Sequence, residues 1–306
     1  MIAVLQGFAV IGVIIGVGIV VGRTDVLGHN AATVLNRVAF YIGVPALLLV
    51  TLAKATPAQV FSLPLLISVM ATFIVFAFYF GIATLIRHQP RGDATIGAWS
   101  SSYVNAGNLG LPLSAYVLGN TTDVSSVILF QCVVLIPLGA AILDSDAAAH
   151  TTVKARVTRL VANPTICASI IGIALSALDV HLPKLVLDPL ALLAELAVPT
   201  VLLAFGMSLS ARGTRHQRGD RFDLTLAVTF KLALMPLVAY ALCRWAFNGT
   251  PQQLMVVTVL AALPSAQNVN AFAAVYQRGV VLARNTTLIT TAASIPVIMI
   301  IVALLT

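Results

Sequence analysis

Two stretches of this chain carry amides, glycines and prolines inside apolar sequence. Residues 100–113 read SSSYVNAGNLGLPL and include Asn105, Asn108, Gly110 and Pro112. Residues 263–272 read LPSAQNVNAF and include Pro264, Gln267, Asn268 and Asn270. The chemistry open to such residues is binding. Carboxamides offer both donors and acceptors. A proline lacks the backbone N–H and clashes with the turn before it, and glycine lowers the cost of leaving helical dihedrals. A helix interrupted there frees peptide groups, and the half-helix that follows presents N–H groups and partial positive charge. That environment favours an anion such as a carboxylate. Asn108 and Asn268 lie 160 residues apart, whereas Pro112 falls opposite Phe272, so the two breaks are analogous and not identical. The alternative is that amides and prolines kink tightly packed helices.

The surrounding elements follow from composition. Apolar types make up 59% of 306 residues and charged types 9%, with a mean hydropathy of +1.02. Soluble domains carry about a quarter charged residues, so the solvent for this chain is lipid. Ten apolar stretches are long enough to span a bilayer: Ile2–Gly22, Ala32–Ala53, Ser62–Ile86, Ala94–Leu118, Val124–Leu143, Pro164–Leu178, Leu185–Leu209, Leu224–Phe247, Gln252–Tyr276 and Asn285–Leu305. They are too long and too uniformly apolar for barrel strands, and backbone groups in lipid must be paired within the segment. An all-α polytopic membrane protein is expected. The start, MIAVLQGFAVIG, has no basic leader or cleavage site and is expected to open the first span.

Lysine and arginine set the orientation. Thirteen lie in or beside the gaps after odd-numbered spans and three, Lys54, Lys184 and Arg244, after even-numbered ones. The positive-inside bias puts the odd gaps in the cytoplasm and both termini outside. The net charge of +7 is explained by this bias; the basic loop ARGTRHQRGDRFD has no interleaved aromatics, and no nucleic-acid partner is expected. Cys132, Cys167 and Cys243 fall in apolar stretches with no metal-ligand spacing, so no metal and no cofactor is expected.

The halves resemble each other. Gly16 matches Gly172, Pro45 matches Pro199, Tyr116 and Gly119 match Tyr276 and Gly279, and Pro137 matches Pro296, at offsets of 154 to 160. Two five-span repeats, 1–143 and 164–306, are joined by a cytoplasmic linker at 144–163. An odd number of spans per repeat inverts the second copy, as in secondary transporters.

At NAGNLGLPL, LPSAQNVNAFAAVY and the proline-containing spans two, five, seven and ten, the chain resembles the auxin efflux carrier family, which includes bacterial malonate and malate permeases. The resemblance implies a fold like that of bile-acid sodium symporters and sodium/proton antiporters. Spans four and nine would cross at unwound centres. Spans one, two, six and seven would form a scaffold, usually dimeric, and spans three to five and eight to ten a moving transport domain. Asn105 would hold the substrate carboxylate, and Pro112 and Pro264 would be the crossover prolines. Val269 stands where plant members carry a second proline, and Asn268 and Asn270 beside it leave room for an anion smaller and more polar than auxin. A bacterial inner membrane fits the permease branch.

Two charges lie inside spans. Glu195, four residues before Pro199, is a candidate for coupling to a proton or sodium ion, or a structural contact facing a helix or water. Lys231, about two turns into span eight, either snorkels to the interface or takes part in anion binding or ion coupling. The leading reading is a secondary carrier of a small organic anion working by alternating access. No P-loop is present for ATP hydrolysis. An intramembrane enzyme is the alternative, but no histidine accompanies the serines within a span, and there is no paired-Asp or HExxH pattern. An anion channel would not need inverted halves.

Overall fold

The computed structural model describes residues 2–28, 30–146, 164–210 and 220–305. Most of the linker, with Lys154, Arg156 and Arg159, and the loop arginines Arg212, Arg215 and Arg218 lie outside the described residues. The helices are α1 (Ile2–Thr24), α2 (Ala31–Lys54), α3 (Ala58–Ile86), α4 (Arg91–Ser102), α5 (106–118), α6 (Thr122–Leu143), α7 (Pro164–Ala177), α8 (Lys184–Met207), α9 (Arg221–Ala246), α10 (Pro251–Ala261), α11 (Gln267–Tyr276) and α12 (Val280–Leu305). Six of them, α2, α3, α6, α8, α9 and α12, are long and apolar enough to cross a membrane. The apolar part of α1, α7 and α10 are shorter. Where the sequence suggests single spans over 94–118 and 252–276, the structure has two helices each, α4 with α5 and α10 with α11. No strand is formed among the described residues, and the extended pairing is one isolated bridge, Val104 with Ser265.

Proline explains much of the local geometry. Wide, π-type turns at Ala39–Gly43, Ala106–Gly110, Gln131–Leu135 and Phe230–Leu234 each end two residues before a proline: Pro45, Pro112, Pro137 and Pro236. A wider turn accommodates both the missing N–H and the ring without ending the helix. Pro112 is therefore carried inside α5. The interruption falls earlier, at 103–105, with Asn105 rather than the proline at the break.

The chain forms two compact units. The first comprises Met1–Ser62, Gly107–Val133 and Lys154–Arg215. Its helices approach through small residues. A Cβ on Gly18 would lie 2.5 Å from the Leu203 carbonyl oxygen, and one on Gly206 would lie 2.2 Å from that of Ile15, so α1 and α8 meet backbone to backbone. Gly43 meets Ala197, and Gly172 meets Leu49 and Leu52, which seats α2 against α8 and α7. At one end Ser62 donates to Asp123 at 3.1 Å, the Thr51 and Thr121 hydroxyls lie 3.4 Å apart, and Ser176 donates to the Ala55 carbonyl. These bonds join the gaps after spans two, four and six.

The second unit comprises Leu63–Ala106, Val134–Val153 and His216–Thr306. Tyr79 is fully buried among Ala83, Ala94, Ala98 and Ala227, with its ring where a side chain on Gly97 would stand. Arg87 pairs with Asp220 and, at 3.5 Å, with Asp223, which also accepts from Gln89 at 2.6 Å. Asp93 accepts from the Gly279 amide at 2.8 Å and faces Arg278 at 3.8 Å. Here the gaps after spans three, seven and nine meet.

The repeat is visible in the backbone itself. His88 and Asn248, with φ of 51° and 47°, end α3 and α9 in left-handed conformation 160 residues apart. Gly119 and Gly279, also 160 apart, have φ of 70° and 53°, a region where a side chain is strained.

Candidate functional site

Within the second unit the ends of α4 and α10 are tied together. α4 ends in three serines, all fully buried, whose hydroxyls donate back to the carbonyls of Ile96 and Ala98 at 2.7–2.8 Å. Such back-bonding satisfies each hydroxyl inside its own helix. The last helical amide is Tyr103, donating to Trp99 at 2.8 Å. After it the Asn105 amide donates to the Pro264 carbonyl at 2.9 Å, and the Ala266 amide donates to the Tyr103 carbonyl at 3.0 Å. This two-bond antiparallel bridge replaces helical bonds that the interruption removed. In an uninterrupted helix the Asn105 amide would bond Ser101 and the Ala266 amide Ala262. The Ser265 amide donates instead to the Thr290 hydroxyl on α12 at 3.1 Å.

Aromatic packing surrounds the bridge. Trp99, 1% exposed, stands edge-on to Tyr103 with ring centroids 6.3 Å apart and packs on Phe272 at 5.1 Å. Gly139 makes room for the indole, since a Cβ there would overlap its ring.

The sequence candidates divide as follows. Asn105 is buried at the bridge, 5% exposed, and Pro264 is its bonded partner. Gln267, Asn268 and Asn270 occupy the first turn of α11 directly after the bridge; Asn268 is exposed and the other two are half-buried. The residue before α11, Ala266, is extended (φ −70°, ψ 142°) and has no capping side chain. Asn270 is 3.5 Å from the Thr287 hydroxyl. Asn108, Gly110 and Pro112 lie in α5, in the segment assigned to the first unit, with Asn108 half-buried and the others buried.

Glu195 lies in the first unit at a step in α8: Pro199 lacks the N–H that would bond the Glu195 carbonyl, and the helix resumes at Ala197. Its side chain is exposed and makes no hydrogen bond or ion pair among the described residues. Lys231 lies in the second unit and is fully buried, so its amine does not snorkel. The amine donates to the Ala261 carbonyl at 2.7 Å and lies 3.2 Å from the Met235 sulfur. Sequence reasoning passed over Thr290 and Trp99. The hydroxyls at Thr286, Thr287, Thr290, Thr291 and Ser294, spaced along one face of α12, were the available signal for the first.

Comparison with known proteins settles the family. The family profile described as "Membrane transport protein" matches residues 3–155 and again residues 148–302. The chain belongs to this family, the auxin efflux carriers. The double match covers successive halves, as the backbone repeat does. A Rhizobium meliloti protein named "Putative malonate transporter" is 27% identical over 243 residues, 77% of this chain and 75% of that one. The "Uncharacterized transporter YfdV" of Escherichia coli K12 is 22% identical over 263 residues, 83% and 82% of the two chains. An "Uncharacterized transporter" of Methanothermobacter thermautotrophicus is 26% identical over 261 residues, with the same coverages. The protein is thus a multi-pass integral membrane transport protein. No group of His, Cys, Asp and Glu that could hold a metal ion occurs among the described residues.

Proposed function

We propose that this protein is a secondary carrier of a small organic carboxylate. The observation that carries this reading is the bridged break: two interrupted helices bonded through Asn105 and Pro264, followed by an uncapped α11 whose first turn carries Gln267, Asn268 and Asn270. Backbone N–H groups, partial positive charge and carboxamides together suit a carboxylate. The relative named for malonate makes malonate the first dicarboxylate to try.

In this reading ten spans cross the bilayer, with both termini outside and the basic odd-numbered gaps in the cytoplasm of a bacterial inner membrane. The bonds joining gaps three, seven and nine, and separately two, four and six, support alternating spans. Spans three to five and eight to ten carry the site across the bilayer in an elevator motion, and spans one, two, six and seven form the scaffold. A proton or sodium gradient, or the substrate gradient itself, drives movement. The scaffold pairs with a second copy. Glu195 supports the pairing: an exposed carboxylate beside exposed Leu192, Leu193 and Leu196 would be costly against lipid and is better covered.

The test is a thermal-stability screen of purified protein against mono- and dicarboxylates, followed by counterflow of the stabilising compound in proteoliposomes. Saturable counterflow is expected. Chemical conversion of the compound would favour an enzyme, and a large voltage-driven conductance an anion channel.

A further inference from the structure

Within the second unit, α12 packs along residues 221–234 of α9 and parts from it over residues 235–246. α10 touches both helices and floors the gap between them. The result is a groove of about 570 Å³, lined by Ala233, Leu237 and Tyr240 of α9, Thr258 of α10, and Ile300 and Leu304 of α12. The Thr258 hydroxyl donates to the Leu254 carbonyl at 2.7 Å, which leaves the floor apolar in effect. From Leu232 to Tyr240 the groove follows α9 for about 12 Å, most of the roughly 15 Å depth of one hydrocarbon leaflet. A gap this apolar holds water poorly, and an empty one forfeits dispersion contacts along its walls. One end of the groove meets charge. Arg244 lies one turn beyond Tyr240, is exposed, and makes no ion pair among the described residues. Trp245, 74% exposed, stands edge-on to Tyr240 with ring centroids 6.0 Å apart. Tryptophan and tyrosine favour the headgroup level of a bilayer. The acidic residues of this unit, Asp93, Asp144, Asp146, Asp220 and Asp223, all belong to odd-numbered gaps, whereas Arg244 stands at gap eight. No protein carboxylate of the unit is placed to balance it.

We propose that this groove is a binding site for an anionic phospholipid. One acyl chain lies between α9 and α12 on the floor of α10, and the headgroup phosphate pairs with Arg244 beside Trp245. A guanidinium always carries its charge, and its planar fork matches phosphate oxygens. A zwitterionic headgroup would bring an ammonium to a place that already holds a cation and offers no carboxylate to receive it. The site goes beyond the carboxylate-carrier reading. It depends neither on the substrate nor on which side of the membrane gap eight faces.

The experiment uses the purified full chain in bilayer discs of phosphatidylcholine. A small fraction of the lipid is replaced by phosphatidylglycerol, or by phosphatidylcholine, with brominated acyl chains, and tryptophan fluorescence is read. The chain has two tryptophans, and Trp99 is 1% exposed, so short-range quenching by bromine reports on Trp245. Brominated phosphatidylglycerol should quench wild type at about a tenfold lower fraction than brominated phosphatidylcholine. Arg244→Gln should remove that difference. Ala233→Phe, which fills the groove, should weaken quenching by both lipids. Equal quenching of wild type by the two lipids would overturn the proposal. So would a preference that survives Arg244→Gln, or quenching that Ala233→Phe leaves unchanged. Wild-type fluorescence that neither lipid quenches would mean that protein, such as a second copy of the chain, covers the groove, and would overturn it too. Both substituted side chains are exposed, and the wild-type comparison decides by itself should a variant fail to fold. No transported substrate enters these readings, so failure of the carboxylate reading leaves them intact.

Discussion

Asn105 contributes two separable things to the bridge. Its backbone amide ties α4 to Pro264, and its carboxamide is the group proposed to hold the substrate. Asn105→Ala keeps the first and removes the second. The variant should melt close to wild type and lose substrate-induced stabilisation, by roughly tenfold or more in affinity, as measured by thermal shift against the best carboxylate. Wild-type affinity would remove Asn105 from the site. Thr290 is the converse case, since its hydroxyl serves the fold of the break. Thr290→Val keeps the shape and leaves the buried Ser265 amide without its acceptor, at a cost of about 1–3 kcal/mol. A lowered melting temperature should accompany weakened binding, because the bond lost is one that sets the turn.

The elements are governed by where proline and glycine stand. Prolines 45, 112, 137 and 236 are each preceded by a wide turn and are absorbed within helices, whereas Pro264 stands at a true interruption. What separates the cases is whether other donors and acceptors receive the displaced backbone groups. At 262–266 they come from Tyr103, Thr290 and Lys231. Glycine on α1 offers an internally controlled test. Gly16 has open space where a Cβ would go, while a Cβ on Gly18 would stand 2.5 Å from the Leu203 carbonyl oxygen. Gly18→Ala should destabilise the protein by about 1–3 kcal/mol by pushing α1 off α8. Gly16→Ala should be neutral or slightly stabilising, since alanine is favoured over glycine within a helix by up to about 1 kcal/mol. Thermal melting of the two variants side by side checks this, and equal melting temperatures would argue against the close α1–α8 approach.

For the whole molecule the testable property is sidedness. Single cysteines placed in gaps three and nine, at Arg87 and Arg278, should react with an impermeant thiol reagent from the cytoplasmic side. Cysteines at Thr56 and Asn120 should react from the outside. The native Cys132 and Cys243 are buried, and the half-buried Cys167 is replaced by serine in the labelling background. The opposite labelling pattern would invert the topology, and mixed labelling would break the ten-span reading. Glu195 belongs to this scale too. If its carboxylate faces a second copy, Glu195→Gln should leave the pH dependence of uptake unchanged, while a cysteine at 195 should cross-link two chains. Uptake that no longer responds to a proton gradient would assign Glu195 to coupling instead.

Hydropathy and basic-residue placement were enough to describe a polytopic helical membrane protein built from two similar halves, because lipid leaves the backbone few choices and each repeat carries its own prolines and glycines. The candidate segments were legible for the same reason: Asn105, Pro264, Asn268 and Asn270 are conspicuous among apolar neighbours. Tertiary structure decided how the backbone around such residues is bonded. Pro112 looked like the breaking residue, yet a wide turn just ahead of it lets the helix run through it. Lys231 looked able to reach the interface, yet its amine is drawn inward by a carbonyl thirty residues away in sequence. Both outcomes depend on where displaced hydrogen-bonding groups find partners on other helices, and that pairing exists only once the chain has packed.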